Sequence, residues 1–217
     1  MKNNKLLIFD LDGTLLNTLE DLRNSVNYAL KLYNYPERSL EEIRNSVGNG
    51  FGKLVRTSLP PDTGDYDNIL TAARAHYREN FCVYSHPYDG IPALLKELKA
   101  IGYQLAIVSN KPDEMLQALH QKFFASLIPY AAGEIEGIPR KPSPEPVYRA
   151  MGYFDVPKEQ TVYIGDSEVD FKTALNAGVT PIIVNWGFRT ADELGSSGVT
   201  DMVENTEQLM KRIMGHE

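Results

Sequence analysis

Short apolar runs that alternate with helical patterns constrain the fold of this chain most strongly. Each run is too short for a helix but long enough for a buried strand, and the runs cover residues 6–9, 105–108, 162–164 and 182–184. Apolar residues at helical spacing lie between or after them, in 93–100, in 169–177 and around Met115, Leu116 and Leu119. Strand followed by helix, repeated along the chain, predicts an α/β fold with a doubly wound parallel sheet.

One long section interrupts this alternation. Residues 16–85 contain no convincing strand, but they show helical patterns over 19–32, 40–47, 54–59 and 69–81. The simplest interpretation is a small helical domain inserted into the α/β core. We therefore predict a core domain formed by residues 1–15 and 86–217 and a second domain formed by residues 16–85.

Composition and charge exclude several classes of function. The chain has 217 residues and a formal net charge of −7, and this excess of acid disfavours a nucleic-acid partner. Its single cysteine, Cys82, rules out an intrachain disulfide and a zinc site built from thiolates. No apolar run approaches the roughly 18 residues needed to span a bilayer. We expect a cytoplasmic protein with neither a membrane nor a nucleic-acid partner.

The first candidate motif is Asp10-Leu11-Asp12-Gly13-Thr14, directly after the first apolar run. Side chains two apart in an extended segment point the same way, so Asp10 and Asp12 can converge at the carboxyl edge of the sheet. Such a pair suits binding of a hard metal ion or divided acid and base roles. The alternative is a simple turn at Asp12-Gly13 that Asp10 caps.

Two further motifs supply groups that could bind phosphate. Ser109 and Asn110 end the second apolar run, where they could hold phosphate oxygens or merely cap a helix. Lys141 precedes Pro142, which favours an extended backbone and a projecting ammonium group. Arg140 and Lys111 are competing cations, and a solvated surface lysine is the other explanation for Lys141.

The fourth motif is acidic and follows the third apolar run. Asp166 lies at the predicted strand end, and Asp170 lies one helical turn further on. Acidic residues are also common at helix N-termini without further function. Four carboxylates at one edge of one predicted sheet argue against that alternative.

Together these motifs resemble those of the haloacid dehalogenase superfamily of phosphohydrolases, in the order of that family. The resemblance implies a Rossmann-like core with a small helical cap inserted between the first and second motifs. Segments 47–50, 109–112 and 140–144 are similar to those of phosphoglycolate phosphatases within the superfamily. Asn17-Thr18 departs from the pattern, because many relatives carry Asp-Ser there.

The resemblance also implies roles for the core residues. Asp10 is expected to attack phosphorus, and Asp12 to act as general acid and then general base. Ser109 and Lys141 are expected to stabilise the transferring phosphoryl group. Gly13, Thr14 and Asn110 are expected to bind it. Mg²⁺ is expected at Asp10, Asp166 and the Asp12 main-chain carbonyl, with Asp170 supporting the metal-bound water or Lys141 from outside.

The cap offers less specific candidates. Arg44 and the glycine-rich segment 48–52, which includes Asn49, could contact substrate because glycine permits a close approach of the backbone. The same segment could equally be a flexible connection between cap helices. If Arg44 binds substrate in the ground state, Arg44→Ala should raise KM more than it lowers kcat.

The implied function is Mg²⁺-dependent hydrolysis of a phosphomonoester through an aspartyl-phosphate, with a small phosphorylated metabolite as substrate and phosphoglycolate as the first choice. The alternatives are a phosphatase for a sugar phosphate, a nucleotide or pyrophosphate, a sugar-phosphate mutase, and a non-catalytic regulator that binds phosphate or metal. A monomer and a homodimer both stay open.

Other features have structural explanations. Proline-rich segments 60–62 and 141–146 predict loops, and an amphipathic pattern over 204–216 predicts a closing helix. Trp186 is expected to pack near the core surface. The histidines lack metal-ligand spacing and are interpreted as structural residues: His76, His86, His120 and His216.

Overall fold

A computed structural model describes residues 5–215, and a six-stranded parallel sheet organises it. The strands are β1 (Leu6–Phe9), β2 (Leu16–Asn17), β3 (His86–Pro87), β4 (Gln104–Pro112), β5 (Tyr130–Glu134), β6 (Thr161–Gly165), β7 (Thr180–Val184) and β8 (Met202–Val203). The sheet order is β5-β4-β1-β6-β7-β8, and every pairing in it is parallel. This topology confirms the predicted α/β class.

Helices cover both faces of this sheet. They are α5 (Ile91–Ile101), α6 (Asp113–Phe123), α7 (Glu145–Phe154), α8 (Glu168–Ala177), α9 (Ala191–Ser196) and α10 (Thr206–Met214), with a 3₁₀ turn at Lys158–Gln160. Leu7 and Phe9 of β1 pack on one face with α5 and α6, whereas Leu6 and Ile8 pack on the other with α7 and α8. All four side chains are fully buried, which explains the uninterrupted apolar run.

Four more helices form a separate apolar cluster above the carboxyl edge of the sheet. They are α1 (Leu19–Leu32), α2 (Leu40–Ser46), α3 (Phe51–Thr57) and α4 (Tyr66–Asn80). Their cluster contains Val26, Ile43 and Tyr77, and it also takes in Met115 and Phe188 from the sheet side. The antiparallel pair β2–β3 lies where the chain enters and leaves these helices. We call α1–α4 the cap, and its predicted limits at residues 16 and 85 stay a prediction.

Several predicted element limits were wrong. The helix predicted from residue 54 begins at Phe51, because Gly50, with φ of +84°, starts it earlier. Strand β2 lies in the section predicted to hold no strand. Helix α7 begins at Glu145 and accommodates Pro146 in its first turn, where a missing N–H group has no cost. Residue 216 of the predicted closing helix lies outside the described residues.

Several elements were not predicted at all: the short strands β2 and β3, together with β5, α7, β8 and α9. Strand β5 contains Ala-Ala-Gly at its centre, and β8 has only two residues, so neither has an apolar run. Within residues 5–215, no helix combines the length and the apolar character needed to cross a membrane.

Candidate active site

Three buried carboxylates meet at the carboxyl edge of the sheet. Asp10 follows β1, Asp166 follows the adjacent strand β6, and Asp170 lies in the first turn of α8. One oxygen from each side chain lies within 4.8 Å of the others. Neighbouring parallel strands end at the same edge, which is why residues far apart in sequence converge here.

Lys141 is the cation that reaches this cluster. Its Nζ lies 2.9 Å from Asp10 Oδ1 and 2.7 Å from Asp170 Oδ1, and its side chain is buried. Asn110 holds the Lys141 backbone: Oδ1 accepts from the Lys141 N–H group at 2.9 Å, and Nδ2 donates to the Lys141 carbonyl at 3.0 Å. Arg140, one of the competing cations, instead pairs with Glu134 at 3.2 Å.

Burial and mutual repulsion dominate the electrostatics of the cluster. Burial raises the pKa of Asp10 from 3.8 to about 6, with Lys141 opposing the rise and Asp170 adding to it. Burial, Asp170 and Asp10 together raise the pKa of Asp166 well above its ordinary value. Burial would lower the pKa of Lys141, but Asp10 and Asp170 raise it well above the usual range. One ammonium faces three carboxylates, so a divalent cation would complete the charge balance.

The orientation of the oxygens also fits a divalent metal. Asp10 Oδ1 is buried and accepts no hydrogen bond from the described residues, although Lys141 lies beside it as an ion pair. Both oxygens of Asp170, in contrast, accept protein donors, from Ser167 and from Lys141. An all-carboxylate donor set is typical of sites for hard cations. Asp10 Oδ1 is therefore better suited to direct ligation than either oxygen of Asp170.

Glycines leave the space that Asp166 occupies. A Cβ atom at Gly13 would lie 2.3 Å from Asp166 Oδ2, and one at Gly187 would lie 2.3 Å from Asp166 Cβ. Thr14 Oγ1 donates to Asp166 Oδ1 at 3.1 Å, and the Phe188 N–H group donates to Oδ2 at 2.8 Å. The carboxylate is thus fixed by close backbone approach and by two donors.

Asp12 lies near the three carboxylates, but its own carboxylate contacts other residues, Lys111 and Thr18. Lys111 Nζ lies 2.8 Å from Asp12 Oδ1 and 3.1 Å from Oδ2, and Thr18 Oγ1 donates to Oδ1 at 2.7 Å. Lys111 Nζ also donates to the hydroxyl of Tyr77, which belongs to α4 of the cap. Lys111, expected from the sequence only as a competing cation, therefore belongs to the site.

The sequence did not indicate that β4 extends beyond its apolar run, and this extension brings Lys111 to the site. The strand continues through Ser109, Asn110 and Lys111 to Pro112, and α6 begins only at Asp113. The helix N-cap explanation of Ser109 and Asn110 was therefore wrong. A strand that continues past its apolar run carries its polar residues into the buried edge of the sheet.

A small, partly open cavity lies between this edge and the cap. It has about 40 Å³ of room for the centres of water molecules, which corresponds to a few waters. Polar groups line it from the core, and apolar groups with Tyr77 line it from the cap. The lining residues are Asp10, Asp12, Leu22, Val47, Gly48, Gly50, Phe51, Leu54, Tyr77, Ser109, Asn110, Lys111 and Pro112.

Comparison with known proteins shows which family the sequence belongs to. Residues 7–184 match the sequence model of the haloacid dehalogenase-like hydrolases, which is most of the chain. The chain belongs to this family.

The sequences of several relatives align with most of the length of the hydrolase. It is 34% identical over 197 residues to a phosphoglycolate phosphatase of Haemophilus influenzae strain 86-028NP, covering 85% of this chain and 87% of the relative. It is 31% identical over 207 residues to one from Colwellia psychrerythraea, covering 91% and 92%. A crystal structure of a candidate phosphoglycolate phosphatase from Lactobacillus delbrueckii subsp. bulgaricus matches with a TM-score of 0.91 and 34% identity, covering 98% and 99%.

Four of the five predicted substrate contacts are not among the described residues that line the cavity of the hydrolase: Gly13, Thr14, Arg44 and Asn49. Arg44 Nη1 donates instead to the carbonyl of Phe188 at 2.9 Å and lies 3.7 Å from Glu193. A direct contact of Arg44 or Asn49 with substrate stays a prediction.

A loop after β7 ties the cap of the hydrolase to its carboxylate cluster. Arg189, which is buried and was not predicted, donates from Nη2 to the Val47 carbonyl at 2.6 Å and from Nη1 to the Arg44 carbonyl at 3.1 Å. Its Nε donates to Glu168 at 2.9 Å. The preceding residue, Phe188, donates to Asp166 through its N–H group. Residues 188–189 therefore contact both the C-terminal end of α2 and a candidate metal ligand.

Proposed function

We propose that this hydrolase is a Mg²⁺-dependent phosphomonoesterase that acts on a small phosphorylated metabolite, with phosphoglycolate as the proposed substrate. The observation that most supports the proposal is the buried Asp10 Oδ1, which accepts no hydrogen bond from the described residues and lies 2.9 Å from Lys141 Nζ. A carboxylate oxygen kept free of other donors beside a cation is suited to attack a phosphoryl group.

In the first proposed step, an oxygen of Asp10 bonds to phosphorus and the bond from phosphorus to the leaving oxygen breaks. Asp12 enters this step protonated and gives that proton to the leaving oxygen. In the second step, water attacks the aspartyl-phosphate, Asp12 takes up a proton from the water, and the bond from phosphorus to Asp10 breaks. Asp10 and Asp12 regain their starting states, and inorganic phosphate leaves.

The surrounding residues would bind and orient the phosphoryl group. Lys141 and Ser109 are proposed to neutralise the charge that develops on its oxygens, with Asn110 holding Lys141 in place through two hydrogen bonds. Gly13 and Thr14 are proposed to approach it through the backbone. Asp10, Asp166 and the Asp12 carbonyl are proposed to hold Mg²⁺, which when bound would neutralise phosphoryl charge. Asp170 is proposed to orient Lys141, 2.7 Å away.

The size of the cavity supports a small leaving group. About 40 Å³ for water centres leaves little space beyond the phosphoryl position, so nucleotides would need a more open cap. Phosphoglycolate has a two-carbon leaving group, and relatives at 34% and 31% identity are named for its hydrolysis. The cavity size favours phosphoglycolate over sugar phosphates, and the named relatives favour it over pyrophosphate as well.

A kinetic screen tests the proposal. Phosphate release is measured with phosphoglycolate, a hexose phosphate, a nucleoside monophosphate and pyrophosphate, each with Mg²⁺ and with a chelator. We expect the highest kcat/KM for phosphoglycolate, a requirement for Mg²⁺, and loss of turnover and of covalent phosphate in Asp10→Asn. Near wild-type turnover in that variant would contradict the role of Asp10, and activity that depends on a bisphosphate primer would indicate a mutase.

A further inference from the structure

We propose that Lys111 and the cap residue Tyr77 are positioning residues for the proton transfer carried out by Asp12. The hydroxyl of Tyr77 holds the Lys111 ammonium, and the ammonium in turn holds the Asp12 carboxyl group toward the leaving oxygen. This inference rests on the proposed function, because it assigns the part of the protein that orients its general acid.

The contacts form a continuous chain from the cap to Asp12. Tyr77 Oη accepts from Lys111 Nζ, and Nζ lies 2.8 and 3.1 Å from the two oxygens of Asp12. Thr18 Oγ1 fixes the same carboxylate from the other side, at 2.7 Å from Oδ1. An ammonium has three donors, and the carboxylate and the phenol together direct them.

Burial makes both partners of Lys111 necessary. Its side chain is 1% exposed, and Tyr77 is fully buried. A buried ammonium without enough acceptors is costly, so its position follows the acceptors that surround it. Burial would lower the pKa of Lys111, but Asp12 and Tyr77 raise it, which keeps the group charged.

The cap fixes the Tyr77 hydroxyl independently of Lys111. The Tyr77 ring stacks on Phe51 of α3, with ring centroids 4.9 Å apart and planes 10° apart. Both rings line the cavity. Removing only the hydroxyl would leave this packing intact, so Tyr77→Phe separates the positioning contact from the apolar core of the cap.

Leaving-group dependence distinguishes positioning of the acid from a structural role. Protonation matters most for a poor leaving group, whereas a good leaving group departs without much help. Ethyl, 2-fluoroethyl and 2,2,2-trifluoroethyl phosphate are similar in size and differ in the acidity of the leaving alcohol. The quantity compared is kcat/KM, because it includes the departure of the alcohol and omits the later hydrolysis of the phosphorylated enzyme.

We expect Tyr77→Phe to lower kcat/KM for ethyl phosphate by about tenfold, and for trifluoroethyl phosphate by less than about twofold. Lys111→Met should show the same selectivity with a larger loss on ethyl phosphate. Tyr66→Phe is the matched control, since Tyr66 is on the same helix and its hydroxyl donates to the Gly52 carbonyl at 3.0 Å, within the cap. It should leave the dependence on the leaving group unchanged.

A measurement without turnover accompanies the kinetics. In ¹⁵N-lysine-labelled protein, a buried and hydrogen-bonded ammonium should give a slowly exchanging signal that is absent from Lys111→Met. Tyr77→Phe should broaden or abolish that signal, and Tyr66→Phe should retain it.

The outcomes separate this inference from the proposed function. Equal losses on all three substrates in Tyr77→Phe, or no loss, would overturn the positioning role, as would an unchanged Lys111 signal. Should Tyr77→Phe fail to fold, Lys111→Met decides by the same comparison of substrates. Absence of hydrolysis by the wild-type protein, or full activity in Asp10→Asn, would instead reject the phosphatase.

Discussion

At the scale of single residues, the site depends on the close approach of the glycine backbone to the Asp166 carboxylate. Asp166 occupies space that a side chain at Gly13 or Gly187 would fill, and it is held by Thr14 and by the Phe188 N–H group. Asp10 Oδ1 accepts no hydrogen bond from the described residues and contacts Lys141 Nζ at 2.9 Å as an ion pair. Small side chains and their absence are therefore as important here as the acidic residues.

Gly187→Ala should disturb Asp166 more than it disturbs the fold. Its Cβ would lie 2.3 Å from Asp166 Cβ, so the carboxylate must move. We expect about 10–100-fold weaker Mg²⁺ binding and a loss of about 1–3 kcal/mol in the free energy of unfolding. Calorimetric titration with Mg²⁺ and chemical unfolding measure the two effects. Gly195→Ala, which meets no atom within 4 Å, is the control, and an equal effect there would contradict the steric explanation.

The raised pKa of Asp10 predicts a pH dependence of stability without metal. Its pKa is about 3.8 in the unfolded chain and about 6 in the folded one, so the folded state holds more protons between these values. The free energy of unfolding of the wild type should therefore fall relative to Asp10→Asn as pH rises from about 4 to about 6. Above that window the difference should be constant. Chemical unfolding in chelator across this range measures it, and a relative gain for the wild type would contradict the shift.

At the scale of elements, the loop after β7 is the connection between chemistry and cap. Arg189 satisfies carbonyls at the C-terminal end of α2, where cations are favoured, and pairs with Glu168 of α8. Arg44 donates a hydrogen bond to the Phe188 carbonyl, and the Phe188 N–H group donates one to Asp166. Arg44 can therefore affect substrate binding through the position of the cap.

Arg189→Ala and Arg44→Ala should raise KM by similar factors, about tenfold, because each leaves a polar contact of the same interface unmade. The effect on kcat should be smaller. Arg38→Ala is the control, since Arg38 also bonds a carbonyl, that of Ser58 at 2.9 Å, but within the cap. A raised KM in Arg44→Ala alone would favour the direct substrate contact proposed from the sequence.

At the scale of the whole molecule, net charge and local charge have different consequences. The chain carries −7 overall, which does not attract a phosphorylated substrate from a distance. The cluster of Asp10, Asp166 and Asp170 adds a buried excess of negative charge that Lys141 only partly offsets. A bound divalent metal would neutralise that excess at the sheet edge where a phosphate would bind.

Mg²⁺ should therefore stabilise the folded protein as well as activate it. At a concentration of about 100 times its Kd, a ligand that binds only the folded state adds about 2.7 kcal/mol, or about 5–10 °C in Tm for a chain of this size. Thermal melts with and without Mg²⁺ measure the shift. Asp166→Asn should lose most of it, and an equal shift in that variant would place the metal elsewhere.

Local patterns were enough to predict the α/β class and the edge at which the acidic residues gather. Runs such as Leu6–Phe9 indicate buried parallel strands, and the ends of such strands share one edge, so Asp10 and Asp166 must lie close together. Strands β5 and β8 were not predicted because they are short or lack branched apolar residues. Their pairing depends on neighbours that the local sequence does not contain.

Contacts between the cap and the core needed the folded structure. Lys111 and Tyr77 are 34 positions apart, and nothing in the spacing of either residue predicts their bond. Arg189 lies 142 positions from Val47, and no sequence pattern predicts their hydrogen bond either. Periodicity reports which face of an element is buried, but the orientation of α4 over the end of β4 comes from packing among many side chains at once. The acidic edge thus follows from strand order, while the contact of Tyr77 with Lys111 follows from how the cap packs on that edge.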